Sequence, residues 1–266
     1  MSTELISKVA SRLANAAASA EAITQWAVQD IQLSVAEAYQ VQQQVVASRL
    51  ASGHKVLGLK MGFTSRAKML QMGVSDLICG VLTSDMWIED GGTLDLGRFI
   101  HARVEPEIAF LLKAPLTADS SLAQVYAAVE AVAPALEVID SRYRDFQFSL
   151  PDVIADNCSS AAFCIGQWQK PTLDLTNLGM VMSFHGKAQQ IGSSAAILGN
   201  PYRSLLAAAR LAGLTGQALE AGSIVLAGAA TAAEALPAGS SVRLETEALG
   251  RVDFSVAGNT TLAGAA

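Results

Sequence analysis

Apolar residues recur at every fourth position near the start of the chain, at Leu5, Val9 and Leu13. That spacing predicts an amphipathic helix. Ser34 and Glu37 follow with the S-x-x-E spacing of a capping box. Behind them Ala38, Val41 and Val45 share one helical face, and Gly53 is placed to end the helix. From Lys55 the period changes. Val56, Gly58 and Lys60 alternate with Leu57, Leu59 and Met61, which predicts a strand with Lys60 pointing away from the Leu57/Leu59 face. Gly62–Gly80 is mixed, with a helical stretch at Ala67–Met72, and Asp90-Gly91-Gly92 reads as a turn.

Val104–Leu112 reads as a strand. Leu122, Val125, Val129 and Val132 mark a helix that Pro134 should stop, and Ala135–Ile139 reads as the next strand. Met180–Phe184, Ile224–Leu226, Val242–Thr246 and Val252–Val256 are further strands, the last two joined through Gly250. Asn200-Pro201 supplies an N-cap and first residue for a helix over Tyr202–Leu211. The expected architecture is α+β: a small helical N-terminal region over 1–75 and a β-rich domain over 76–266. Strands and helices do not alternate regularly, which disfavours a doubly wound sheet.

Composition narrows the class. With 266 residues, 51% hydrophobic and 16% charged, a substantial core is expected, with fraying only in the small polar tail Ala257–Ala266. The net charge of −6 and the absence of basic runs argue against a nucleic-acid partner. No apolar run has signal-peptide or membrane-spanning length, so a cytoplasmic protein is expected. Cys79, Cys158 and Cys164 form no C-x-x-C pair, which fits free thiols in a reducing compartment. P-loop, G-x-G-x-x-G, H-E-x-x-H and G-x-S-x-G motifs are all absent. His54, His101 and His185 are scattered. A bound metal should therefore be a hard cation held by carboxylates.

Four segments carry chemistry. In Val104-Glu105-Pro106-Glu107 the two glutamates are i and i+2 on a strand and project from one face. Side-by-side carboxylates repel unless a cation neutralises them; a solvated acidic edge, which Pro106 would suit, gives the same spacing. Glu137 sits inside the apolar run Ala135–Ile139, where a carboxylate needs a partner: a shared metal, or Arg142 or Arg144. Ile154–Ser160 packs hydrogen-bonding side chains into a short span, either as a substrate loop with Asp156 handling a proton or as a capped turn. Lys60, flanked by Gly58 and Gly62, either reaches a site as an enolate stabiliser or snorkels at the surface.

Gly58–Arg66, Ile100–Phe110, Ala135–Arg142 and Ile154–Ser160 occur in one order. This order resembles the family of 4-oxalocrotonate decarboxylases and 2-oxopent-4-enoate (vinylpyruvate) hydratases, within the fumarylacetoacetase-like superfamily, over nearly the whole chain. The resemblance implies mixed sheets curled around a central site. It implies a magnesium site, or manganese in its place, built by Glu105, Glu107 and Glu137, with Glu137 ranked above Asp140. It also implies Lys60 in the active site, Asp156 as a catalytic proton handler, and Ser160, Asp140 and Thr231 as substrate contacts.

Ala67–Val74, His101 and the stretch Gly228–Glu234 resemble the decarboxylase branch, as does Ser160, where the hydratases tend to carry Cys. Cys158 departs from the pattern, which expects Ala. The implied reaction is loss of CO₂ from 2-oxohex-3-enedioate in meta-cleavage breakdown of aromatic compounds. The pocket end holding the departing carboxylate should be apolar. A homo-oligomer and a complex with the hydratase are also implied. The alternatives are the hydratase reaction on the same scaffold and a non-catalytic partner subunit. A C–C hydrolase ranks last, because no histidine occupies a matching motif.

Overall fold

The computed structural model describes residues 2–26, 31–65 and 76–258. The predicted helical stretch at Ala67–Met72, the decarboxylase-like Ala67–Val74 and most of the C-terminal tail lie outside them. Helix α1 (Thr3–Ser19) starts at the Ser2 cap and buries Ile6, Val9 and Leu13. Helix α2 (Val35–Ala51) starts at the expected capping box, with Ser34 and Glu37 bonding reciprocally. Gly53, just past its end, takes φ +93°, a conformation that favours glycine. These two helices pack with Tyr143, Val153 and Ile154 into a separate small core.

The larger sheet has eight strands. Its order is β2 (Ile78–Thr83), β1 (Val56–Gly62), β10 (Ile224–Ala229), β5 (Arg103–Leu112), β6 (Val129–Ile139), β7 (Ser160–Ile165) and β3 (Trp87–Ile88), with β11 (Glu234–Ala235) also on β5. The smaller sheet runs β4 (Thr93–Leu94), β13 (Gly250–Val256), β12 (Ser241–Thr246), β8 (Gly179–Phe184) and β9 (Lys187–Ser193). β1 lies inside the larger sheet, so the helical region ends ahead of residue 56 rather than at 75.

On β5 the even-numbered residues Val104, Ile108 and Phe110 join Met182, Leu244 and Phe254 of the smaller sheet in the main core. Its odd-numbered face is turned into the hollow of the larger sheet. Leu82 of β2 and Phe163 of β7 share a core cluster there with Ala109 and Leu226, although four strands separate β2 from β7 in the sheet order. Only a strongly curled sheet allows that contact.

The helix predicted to reach Pro134 stops much earlier. Helix α3 covers Leu122–Ala128, and β6 begins at Val129. The spacing of Val129 and Val132 suits a helix, but β-branched residues pack well in a sheet, and pairing along β5 from Leu112 to Arg103 prevails. Pro134 and Pro106 both lie in central strands, not at an edge. The Pro134 carbonyl accepts from Gly166, just past the end of β7, and the Pro106 carbonyl accepts from Ala230, where β10 leaves register. Each proline nitrogen faces the same flank as its carbonyl, where the neighbouring ladder is already broken. The missing N–H therefore costs no strand bond. Helix α4 (Leu150–Ala155) leads into the Asp156 turn, and α5 (Pro201–Leu211) starts at the predicted Asn200 cap. The short strands β2, β3, β4, β7, β9 and β11 had no predicted counterpart.

Candidate active site

Glu105 and Glu107 stand on the inner face of β5, and Glu137 is the direct cross-strand partner of Glu105 on β6. One carboxylate oxygen from each of the three lies within 4.8 Å of the other two, and all three residues are buried. The solvated-edge alternative therefore does not apply. Lys60 approaches from β1. In a flat sheet, the two strands between β1 and β6 would hold them roughly 14 Å apart. Curling closes that distance, and Lys60 Nζ lies 3.0 Å from Glu137 Oε2. Glu137 thus has Lys60 as its ion-pair partner, whereas Arg142 pairs with Asp156.

Lys60 Nζ also donates to the Cys158 carbonyl, at 3.0 Å. An ammonium has three N–H donors. One is directed at Cys158, the ammonium stays beside Glu137 as an ion pair, and Lys60 lines the cavity as well. Burial alone would lower the Lys60 ammonium, but the neighbouring carboxylates, Glu137 foremost, outweigh it and keep the pKa above its ordinary value.

The three carboxylates are overcommitted. Burial raises Glu107 above the usual range, and the charge of Glu137 adds to it. Burial likewise raises Glu137, against the pull of Lys60. Glu107 Oε1 and both carboxylate oxygens of Glu137 are buried without a hydrogen-bond partner, although Oε2 lies in the ion pair with Lys60. One ammonium cannot offset three clustered anions. A dication with oxygen preference fits the donor set in charge and in ligand type.

Gly228 fixes the orientation of Glu107. Its N–H donates to Glu107 Oε2 at 2.7 Å from the irregular end of β10. Its φ is +104°, and a Cβ there would lie 2.0 Å from Thr64 Oγ1. Gly228→Ala should therefore cost about 2–4 kcal/mol of stability. It should also weaken magnesium binding, because the clash displaces the Glu107 donor. Thermal melts and magnesium titration calorimetry check both; unchanged magnesium affinity would separate Gly228 from the site.

The cavity above the cluster measures about 270 Å³. Lys60, Glu105, Arg103 and Ser159 supply its polar lining, and Phe63, Ile78, Phe146 and Phe148 are among the apolar residues of its wall. The lining thus mixes apolar residues with a second cation. Arg103 is exposed and stacks its guanidinium 4.6 Å over the Phe146 ring. Two roomier cavities, about 420 and 370 Å³, touch none of the three glutamates.

The remaining predicted residues lie elsewhere. Asp156 does not line the cavity; Arg142 occupies both of its carboxylate oxygens, through its backbone N–H at 3.0 Å and through its guanidinium. Burial pushes the Asp156 carboxyl up to about 6 despite Arg142, so it is an anion at neutral pH. Its position suits holding the turn in place rather than proton transfer. Asp140 accepts from the backbone N–H groups of Ile100 and His101, which leaves it outside the carboxylate cluster. Ser160 is buried with its hydroxyl 3.7 Å from Met86 Sδ, away from the cavity. The Thr231 hydroxyl bonds the Ala232 carbonyl, and it is Ala232 and Ala233 that reach the cavity.

Sequence reasoning missed Arg103, Ser159, the Cys158 carbonyl and the Gly228 N–H. Arg103 could have been found, since it stands two residues before Glu105 on the same strand face. The two backbone groups leave no trace in residue identity.

Comparison with known proteins agrees with this geometry. The family model for the fumarylacetoacetate (FAA) hydrolase C-terminal region matches residues 55–257. A 4-oxalocrotonate decarboxylase of a Pseudomonas species is 59% identical over 253 residues, covering 95% of this chain and 98% of that protein. A 2-hydroxypent-2,4-dienoate hydratase of Pseudomonas putida is 35% identical, covering 76% of this chain and 92% of that protein. Among solved structures, the 4-oxalocrotonate decarboxylase of Pseudomonas putida G7, complexed with magnesium and adipate, superimposes with a TM-score of 0.91 at 36% identity. That match covers 96% of this chain and 98% of the other. Matched over most of its length by the family model, and over nearly all of it by close relatives, the chain belongs to the fumarylacetoacetate hydrolase family.

Proposed function

We propose that the chain is a magnesium-dependent decarboxylase that converts 2-oxohex-3-enedioate (4-oxalocrotonate) to 2-hydroxypenta-2,4-dienoate and CO₂ in meta-cleavage breakdown of aromatic compounds. The observation that carries this reading is the 59% identity to a decarboxylase over 95% of the chain, against 35% to the hydratase. The six-carbon diacid adipate bound to the structural relative has the carbon length of the proposed substrate.

A cation held by Glu105, Glu107 and Glu137 would supply the positive charge that draws electrons toward the substrate keto group. The protein's own residues do the rest. The curled sheet and the side chains of Phe63, Phe146 and Phe148 wall the cavity and lower the polarity around the reacting carbons. As the C5–C6 bond breaks, its electron pair moves through C4 and C3 to the keto oxygen and CO₂ leaves. Lys60 lines the cavity where that negative charge collects, and its ammonium supplies the hydrogen bond and proton that give the enol. Glu137 and the Cys158 carbonyl hold the ammonium in place.

The dienol product is the compound for which the P. putida hydratase relative is named. That shared compound supports association with such a hydratase. A cytoplasmic location fits the three free, buried cysteines and the absence, among the described residues, of a helix long and apolar enough to cross a membrane.

The test is direct. Purified protein with magnesium and the diacid should release CO₂ with stoichiometric dienoate, and EDTA should stop the reaction. Loss of added dienoate without CO₂ release would assign the hydratase reaction instead. Full activity after EDTA treatment would defeat the metal reading.

A further inference from the structure

The turn Asn157-Cys158-Ser159 has three successive non-glycine residues in the left-handed region, at φ 48°, 54° and 56°. Each costs roughly 1–2 kcal/mol, and such a run persists only where its surroundings enforce it. Here they do. The Asn157 side chain pairs with the backbone of Val81, accepting from its N–H at 2.8 Å and donating to its carbonyl at 2.9 Å. Arg142 holds Asp156 just ahead of the turn. The Cys158 carbonyl takes Lys60, the Ser159 N–H reaches the Asp156 carbonyl, and the Ser159 carbonyl accepts from Asp140.

One group in this clamped turn is left over. Ser159 is 4% exposed, and its hydroxyl is buried without a hydrogen-bond partner. It lines the same cavity as Lys60 and Glu105. A buried hydroxyl with no partner costs about 1–3 kcal/mol, an arrangement that suits a site completed by its ligand. Ser159 directly follows the residue whose carbonyl holds Lys60, which puts it at the inner, charged end of the cavity.

We infer that Ser159 is a substrate-contacting residue whose hydroxyl donates to the carboxylate of the 2-oxo acid head group. This rests on the decarboxylase reading for the identity of the ligand, though oxalate, which shares that head group, tests the contact without turnover. The hydroxyl would bond the carboxylate before and during the reaction alike, so its loss should act on binding rather than on the chemical step.

Ser159→Ala and Ser159→Gly should each raise KM for the diacid roughly 10- to 100-fold, as expected for a hydrogen bond to a charged group, with kcat within about threefold. Both should weaken oxalate binding to the magnesium-loaded protein by the same factor in titration calorimetry. The glycine variant relieves the left-handed backbone, so it should melt above wild type while still binding worse. That pairing excludes a merely structural role. Ser160→Ala, beside Met86, should leave both constants unchanged. Unchanged KM and oxalate affinity in Ser159→Gly would overturn the assignment. A wild-type protein that binds oxalate but releases no CO₂ would instead indict the proposed reaction and leave the serine contact standing.

Discussion

Glu107→Gln should abolish magnesium binding and lower decarboxylation by roughly three orders of magnitude or more. Loss of several kcal/mol of charge stabilisation, at about 1.4 kcal/mol per decade, sets that scale. The fold should survive, because a glutamine oxygen can still accept the Gly228 N–H that now reaches Glu107 Oε2. Stability should move the opposite way from activity. In metal-free protein Glu107 is buried against Glu137 and Glu105, and its charge is disfavoured by burial and by both neighbours. The amide carries no charge and replaces a carboxyl that can ionise there only against that penalty. Metal-free Glu107→Gln should therefore melt above metal-free wild type, by roughly 2–4 °C per kcal/mol of repulsion relieved. Magnesium should raise the melting temperature of wild type and leave that of the variant unmoved. A variant that melts lower without metal, or keeps full activity with it, would refute the shared-cation site.

Lys60→Met carries the second large effect. Methionine keeps most of the buried stem and removes the ammonium. The value of kcat should fall by roughly two to four orders of magnitude, the range for losing a positioned acid or oxyanion partner. Without metal the variant should also lose stability, because Glu137 is left buried with no cation at 3.0 Å. Added magnesium should narrow the gap in melting temperature far more than the gap in kcat. An unchanged kcat would remove Lys60 from the chemistry.

The parts of the site that were legible in the sequence are those encoded locally. Glu105 and Glu107 share a face because strand side chains alternate, and that rule needs only the strand. Glu137 stood out as a lone carboxylate in an apolar run. Their convergence was legible only through resemblance, since nothing near Lys60 states that β10 separates β1 from β5. Ser160 does not line the cavity, for a geometric reason. Three left-handed residues reset the side-chain phase of the turn, so the hydroxyl that reaches the cavity belongs to Ser159. Val129 and Val132 misled similarly. Their spacing fits a helix, and only the distant partner strand β5 decides otherwise.

The position of β10 governs when the molecule can first work during synthesis. Lys60, the three glutamates and Ser159 have all left the ribosome well before Ile224 does. Until β10 emerges, β1 and β5 lack the strand that pairs with both, and the lysine strand is tied to the rest of the site only through contacts such as Asn157 with Val81 and Lys60 with the Cys158 carbonyl. A nascent chain ending just short of that strand would hold Lys60 and all three glutamates yet lack both the strand between them in the sheet and the Gly228 N–H that orients Glu107. Completion depends on pairing between segments more than 160 residues apart, the slow, high-contact-order step in sheet proteins.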